Sequence, residues 1–197
     1  GQRAAIRERV AAEKIARHFG VPHRTLVLPW FREFSRGGAL LREDTQLPSP
    51  RLADLDDPAS SLQSARAVWV PNRNGVLIEI AAGFAENLGA EAVLVGFNRE
   101  EAVTFPDNSL EYLQALSAAL ALSTSNRVRV ASPTVALDKK QIVAMLQDSK
   151  FPLSSLWSCY ESRETMCGRC ESCMRLKRAL RSNELLSHVT FENPALP

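Results

Sequence analysis

The chain of 197 residues contains four cysteines, Cys159, Cys167, Cys170 and Cys173, gathered in one stretch with the spacing Cys-x7-Cys-x2-Cys-x2-Cys. Thiolates this close together on a turn entering a helix suit a metal ion. The tight run supplies three ligands, and Cys159 closes the fourth corner of a tetrahedron. Gly168 permits the turn that aims neighbouring sulfurs at one point. Cysteines used as small core residues would not cluster in a polar stretch that also carries Glu161, Arg163, Glu164, Arg169 and Glu171. Iron competes with zinc for such a set, but the bacterial ferredoxin run has a further Cys and a Pro downstream that this sequence lacks. A zinc ion enclosed by four thiolates has no open coordination position, so the expected role is structural.

The elements that must position this cluster and any partner site are legible from periodicity. Residues 2–19 place Ala5, Ile6, Val10, Ile15, Ala16 and Phe19 at helical spacing with arginines between them, and Gly20 and Pro22 stop the pattern. The apolar run Thr25-Leu26-Val27-Leu28 predicts a buried strand over 23–30. Residues 36–63, rich in Gly, Pro, Ser and Asp without a period, predict a long loop or mobile flap. Beyond it the pattern predicts a helix over 76–88 ended by Gly89, a buried strand over 92–97 and a helix over 109–122. A strand over 127–131 and a helix over 138–147 capped by Asp138 follow. Such alternation is the signature of a parallel sheet covered by helices on both faces. Ligands of these sheets bind beyond the carboxyl ends of the strands. Here those segments are Gly96-Phe97-Asn98-Arg99-Glu100-Glu101 and Ser132-Pro133-Thr134.

Composition bounds the rest. With 24 Lys+Arg against 22 Asp+Glu the net charge is +2, which argues against a dedicated nucleic-acid binder held by bulk charge. No apolar run approaches the roughly 20 residues a bilayer span needs. The N-terminal stretch carries no apolar signal region, so a soluble, cytoplasmic protein with reduced thiols is expected. The length suits one domain with a small appendage; the spans expected are an α/β domain over 1–150, of the nucleotide-binding type by the resemblance described next, and a zinc-binding, helical segment over 151–197.

Five segments together resemble one family, in order along the chain. They are Val70-Pro71-Asn72-Arg73-Asn74, Gly96 through Glu101, Phe105-Pro106-Asp107-Asn108, Ser132-Pro133 with Lys139, and Ser158-Cys159-Tyr160 leading into the other cysteines. The set looks like the 7-cyano-7-deazaguanine synthases. That resemblance covers roughly residues 66 to 180 and, more weakly, the opening helix. It implies the N-type ATP pyrophosphatase group, with a doubly wound parallel sheet of the adenine nucleotide alpha hydrolase-like, HUP type. It implies an ATP-dependent carbon–nitrogen ligase that turns 7-carboxy-7-deazaguanine and ammonia into the nitrile, on the route to queuosine in bacteria and archaeosine in archaea. The cofactors implied are a structural Zn2+ on the four cysteines and ATP as co-substrate with Mg2+. Small-molecule substrates are the partners, with no direct nucleic acid and no membrane, and a homodimer is compatible with the reading. Two departures stand out. The family's Ser-Gly-Gly-x-Asp-Ser phosphate loop is not in this sequence, whose opening resembles the stretch after the family's second strand; the expectation is that the first strand and its loop lie outside it. Phe105-Pro106-Asp107-Asn108-Ser109 stands where the common bacterial form reads Tyr-Pro-Asp-Cys-Arg.

Removing both oxygens of a carboxylate requires each to be activated as a leaving group, with cations neutralising charge at the transferred phosphorus. Lys139 and Arg73 are the cations assigned to catalysis, and Asn74 is assigned to ATP; a solvated Lys139 and a helix-capping Asn74 are the structural alternatives. Asp107, held by Pro106, suits the paired N–H donors of a guanine-like edge. Asn98, Glu101 and a stacking Phe105 complete the expected substrate site, with core packing the alternative for Phe105. Rival readings are a tRNA thiolase using an iron–sulfur cluster and a non-catalytic, zinc-stabilised ligand-binding module.

Overall fold

The computed structural model describes residues 2–34, 38–42 and 44–195. The chain forms two compact units, one from residues 71–142 and one from residues 1–70 with 143–197.

The 71–142 unit carries the α/β pattern. Helix α3 (Arg73–Asn87), strand β1 (Ala92–Leu94), the short α4 (Arg99–Ala102), α5 (Leu110–Ser123) and β2 (Arg129–Ala131) follow in order. β1 and β2 pair in parallel, with Val93 opposite Val130. Ile78 and Ala82 of α3 and Leu113 and Leu120 of α5 meet Val130 and Phe97 in one core. Ser117 fixes α5 to β2: its hydroxyl donates to the Val130 carbonyl at 3.2 Å and accepts from the Val130 N–H at 2.9 Å. The parallel pairing matches expectation, while of the strand expected over 92–97 only Ala92–Leu94 forms, and the stretch is buried on one face rather than both. Leu94 is 68% exposed, whereas Val93 and Val95 pack against the core. That is the alternation of a half-covered sheet.

The other unit is helical among its described residues: α1 (Ala5–His18), α2 (Pro58–Val68), most of α6 (Lys139–Asp148) and α7 (Glu171–Ser182), joined by 3-10 turns. Here the sequence expectations diverge most. No strand forms over 23–30; Leu26 and Val27 are 50% and 73% exposed, and residues Pro29–Phe34 make a 3-10 turn. A strand needs a ladder partner for its N–H and C=O groups, and among the described residues the only sheet is the β1–β2 pair. The expected loop over 36–63 is also corrected. Residues 36, 37 and 43 lie outside the described set, but Leu52–Asp56 is a 3-10 turn and α2 begins at Pro58. Asp57 caps that helix by accepting from the Ser60 N–H at 2.7 Å, and Pro58 occupies the first helical position. Loop-like composition here is a cap followed by a helix whose buried face is Ser61, Ser64, Ala65 and Val68.

No helix among the described residues is long and apolar enough to cross a membrane.

Candidate metal centre and active-site residues

The four cysteines are part of the core of their unit, each at most 2% exposed, packed with Met166, Leu176, Ala179, Leu180, Val189 and Phe191. The loop and helix between Cys167 and Cys173 aim the sulfurs inward. Gly168 takes φ +71°, where L side chains are strained, and a Cβ there would lie 2.4 Å from the Asn193 carbonyl oxygen. Cys170 is the residue before α7 and Cys173 lies in its first turn, so the positive end of the helix faces the sulfurs. Backbone N–H groups point at two of them. Glu161 and Cys167 donate to Cys159 Sγ at 3.3 and 3.4 Å, and Cys170 and Arg169 donate to Cys167 Sγ at 3.3 and 3.5 Å.

The four sulfurs all lie within 4.8 Å of one another, with Cys167 and Cys173 3.9 Å apart, and none is in a disulfide. Metal–sulfur bonds of about 2.3 Å in a tetrahedron put sulfurs about 3.8 Å apart. The space therefore fits one ion, whereas a polynuclear iron–sulfur cluster would have to spread the sulfurs around several atoms. Electrostatics agrees. Hydrogen bonds from Cys159 foremost, with Cys170 and Cys173, hold the Cys167 thiol far below its ordinary range. The same crowding, Cys159 first, pushes Cys170 and Cys173 far above it. Cys159 is also held below its ordinary range, so two thiols ionise readily and the other two are opposed; a cation is what would keep all four ionised together.

The residues assigned to substrate and ATP all fall in the 71–142 unit, and the structure sorts them into two groups. Arg73 and Asn74 are the first two residues of α3, after Asn72 in the left-handed conformation. Asn74 does not cap the helix; its Nδ2 donates to the Asp107 carbonyl oxygen at 3.4 Å. Gly75 leaves room for two neighbouring side chains, since a Cβ there would sit 2.2 Å from Asn72 Oδ1 and 2.9 Å from the Tyr112 hydroxyl. Asp107 is the middle residue of the turn Pro106–Asn108 before α5 and accepts from Asn108 Nδ2 at 3.1 Å. Burial pushes its carboxyl above the ordinary range, against the opposing pull of Asn108 and the Arg73 guanidinium. Arg73, Asn74 and Asp107 thus form one half-buried group around a carboxylate whose charge is not fully compensated.

The second group centres on Lys139, the first residue of α6. Its Nζ lies 2.7 Å from Glu101 Oε1, and its backbone N–H donates to Glu100 Oε2 at 3.4 Å. Asp138 caps α6 reciprocally with Gln141, at 2.9 and 3.0 Å, which orients Lys139. Asn98, buried, accepts from the Glu101 N–H at 3.0 Å and so serves as the N-cap of α4. Phe105 is half-buried, its N–H donating to the Glu101 carbonyl at 2.9 Å. Both groups follow strand ends or helix starts of one unit, where polar side chains can meet a ligand.

Periodicity gave no hint of a fully buried lysine, Lys177, whose Nζ donates to the Gly168 carbonyl at 3.1 Å and the Asn193 carbonyl at 2.7 Å. Its signal was its place four residues after Cys173, on the same face of α7.

These features define an α/β protein with a four-thiolate, metal-type centre and a polar cluster around its parallel strands. The chain belongs to the QueC family: the model of Queuosine biosynthesis protein QueC matches residues 1–184. It is similar to a 7-cyano-7-deazaguanine synthase of Bdellovibrio bacteriovorus, 48% identical over 92% of this chain and 78% of that protein. Proteins of the same name from Desulforamulus reducens and Methanosarcina mazei are 49% and 44% identical, each over 92% of this chain and 79% and 80% of their own lengths.

Proposed function

We propose that this chain makes 7-cyano-7-deazaguanine from 7-carboxy-7-deazaguanine and ammonia at the expense of ATP. The observation that carries the reading is its identity of 42 to 49% with proteins named for that synthesis, over at least 91% of its length. In this reading the parallel pair belongs to a doubly wound, HUP-type sheet of a nucleotide-binding domain over 1–150, with a zinc-binding segment over 151–197. The protein works in the cytoplasm on small molecules, without nucleic acid, and forms a homodimer.

The roles follow from chemistry. Asp107 accepts the ring N–H and exocyclic amino donors of the deazaguanine, two charge-assisted hydrogen bonds to one carboxylate. Phe105 stacks on the heterocycle, and Asn98 and Glu101 line the same substrate region. Converting a carboxylate to a nitrile expels both oxygens, each first made a leaving group by transfer of an adenylyl group from ATP. Arg73, Asn74 and Lys139 hold the phosphates and the developing negative charge, with Mg2+ sharing that charge. A zinc ion on Cys159, Cys167, Cys170 and Cys173 supplies structural stability and no reaction step.

Calorimetry with the intact protein tests the assignment of the guanine edge. A 7-carboxy-7-deazapurine that lacks the exocyclic amino group is expected to bind at least about tenfold more weakly than 7-carboxy-7-deazaguanine, because one Asp107 hydrogen bond is lost in a partly desolvated site. Equal affinity for the two compounds would remove Asp107 from the substrate edge.

A further inference from the structure

Lys177 is 0% exposed, and all three hydrogen-bond acceptors of its ammonium are backbone carbonyl oxygens. One belongs to Gly168, inside the cysteine loop; the other two, of Asn193 and Ala195, belong to the C-terminal tail. The tail is tied to the same loop at further points. Asn193 Nδ2 donates to the Cys167 carbonyl at 2.8 Å, the Glu192 N–H donates to the Met166 carbonyl at 2.9 Å, and Met166 bridges to Phe191. The ammonium also lies 5.6 Å from the Phe191 ring centre, within reach of a cation–π contact.

Burying an ammonium without a carboxylate partner is costly, and a chain that does so gains something from the charge at that place. Burial pulls the ammonium below its ordinary range, and the charges of Cys173, one turn earlier on α7, and of Cys167 oppose that pull. Four thiolates and one divalent ion leave a net charge of −2 in a buried volume. A fixed ammonium one shell outside offsets part of it. At the same time its hydrogen bonds hold the tail across the loop that carries Cys167 and Cys170. Lys177 and the cysteine loop lie within the matched residues 1–184, and the tail acceptors lie beyond them.

We propose that Lys177 is a positioning residue of the metal centre: its ammonium clasps the C-terminal tail over the cysteine loop and so slows the loss of the bound ion. The inference rests on the reading that the four cysteines hold zinc, and its test separates the two.

Zinc content is measured first on the wild-type protein, followed by the rate of zinc transfer to a chromophoric chelator in excess. Lys177→Met is expected to release zinc at least about tenfold faster, the range typical for loss of groups that orient metal ligands. A chain ended after Glu192 keeps Lys177 and the Met166–Phe191 bridge but removes both tail acceptors, and should be faster by a similar factor. Combining the two changes should add little, because both break one clasp. A merely structural lysine would lower the melting temperature without this shared, non-additive effect on release. Wild-type rates in both variants would overturn the inference, as would fully additive effects. If Lys177→Met does not fold, the shortened chain decides alone, fast release supporting the clasp and wild-type release overturning it. Wild-type protein without zinc would overturn the metal reading itself, and the inference with it.

Discussion

Cys173→Ser is expected to empty the metal centre and melt the helical unit, lowering zinc content from one per chain to below about a tenth. Two magnitudes decide this. Seen only as a packing change, a buried sulfur replaced by a hydroxyl costs about 1 to 3 kcal/mol, the penalty of a poorly satisfied polar group. Seen as the loss of a ligand, it removes a share of the roughly 10 to 16 kcal/mol that a structural zinc contributes in small zinc domains, comparable with the whole stability of about 5 to 15 kcal/mol of a typical domain. Four of the eleven buried residues in that core are the cysteines themselves, so little apolar packing remains to hold the unit when the ion leaves. Thermal unfolding with and without a chelator checks it. The wild-type protein plus chelator should resemble Cys173→Ser, and added zinc should restore the former only. A melting temperature within a degree or two of wild type in the variant would show that packing, not metal, carries the unit.

Asp107→Asn is expected to do the opposite to stability while damaging function. Burial raises the carboxyl's pKa in the folded protein, so folding favours its protonated form. For a carboxyl raised in this way, the favourable contribution is complete below the unfolded-state pKa and is lost as pH rises through the folded-state pKa. At neutral pH the charge is therefore a burden on the unliganded fold. The neutral isostere should leave the melting temperature unchanged or higher near pH 8, with the difference closing as the solution is acidified to about pH 4. Substrate affinity should fall at least about tenfold, because the amide presents an N–H where the ligand also presents one. A residue that only fixed the turn after Pro106 would show a lower melting temperature and intact binding. Measuring both quantities on the same variant separates these cases.

What the sequence disclosed and what it hid divide along physical lines. Cysteine spacing is a local property, and the sulfurs do converge on one point within 4.8 Å. The α3–β1–α5–β2 run was legible because helices of 14 and 15 residues and short apolar strands carry their own period. The stretch over 23–30 misled because an apolar run says nothing about whether a neighbouring strand exists to pair with it. The α2 helix was hidden by its buried serines, although Asp57 followed by Pro58 spelled its beginning. A helix cap was the structural alternative for Asn74, because a polar residue before an apolar run commonly is one; that its amide turns instead to the Asp107 carbonyl depends on a turn 33 residues away. The burial of Lys177 was hidden for the same reason, its place one turn after Cys173 apart: two of its three acceptors belong to a tail whose path no local pattern encodes.

Conversion of substrate tests the proposed activity most directly. With the intact, zinc-containing protein, 7-carboxy-7-deazaguanine and isotopically labelled ammonia should give a labelled nitrile by mass spectrometry, only when ATP and Mg2+ are present. About two ATP should be consumed per nitrile, one for each oxygen expelled. Folded, zinc-replete protein that yields neither nitrile nor the intermediate amide would contradict it.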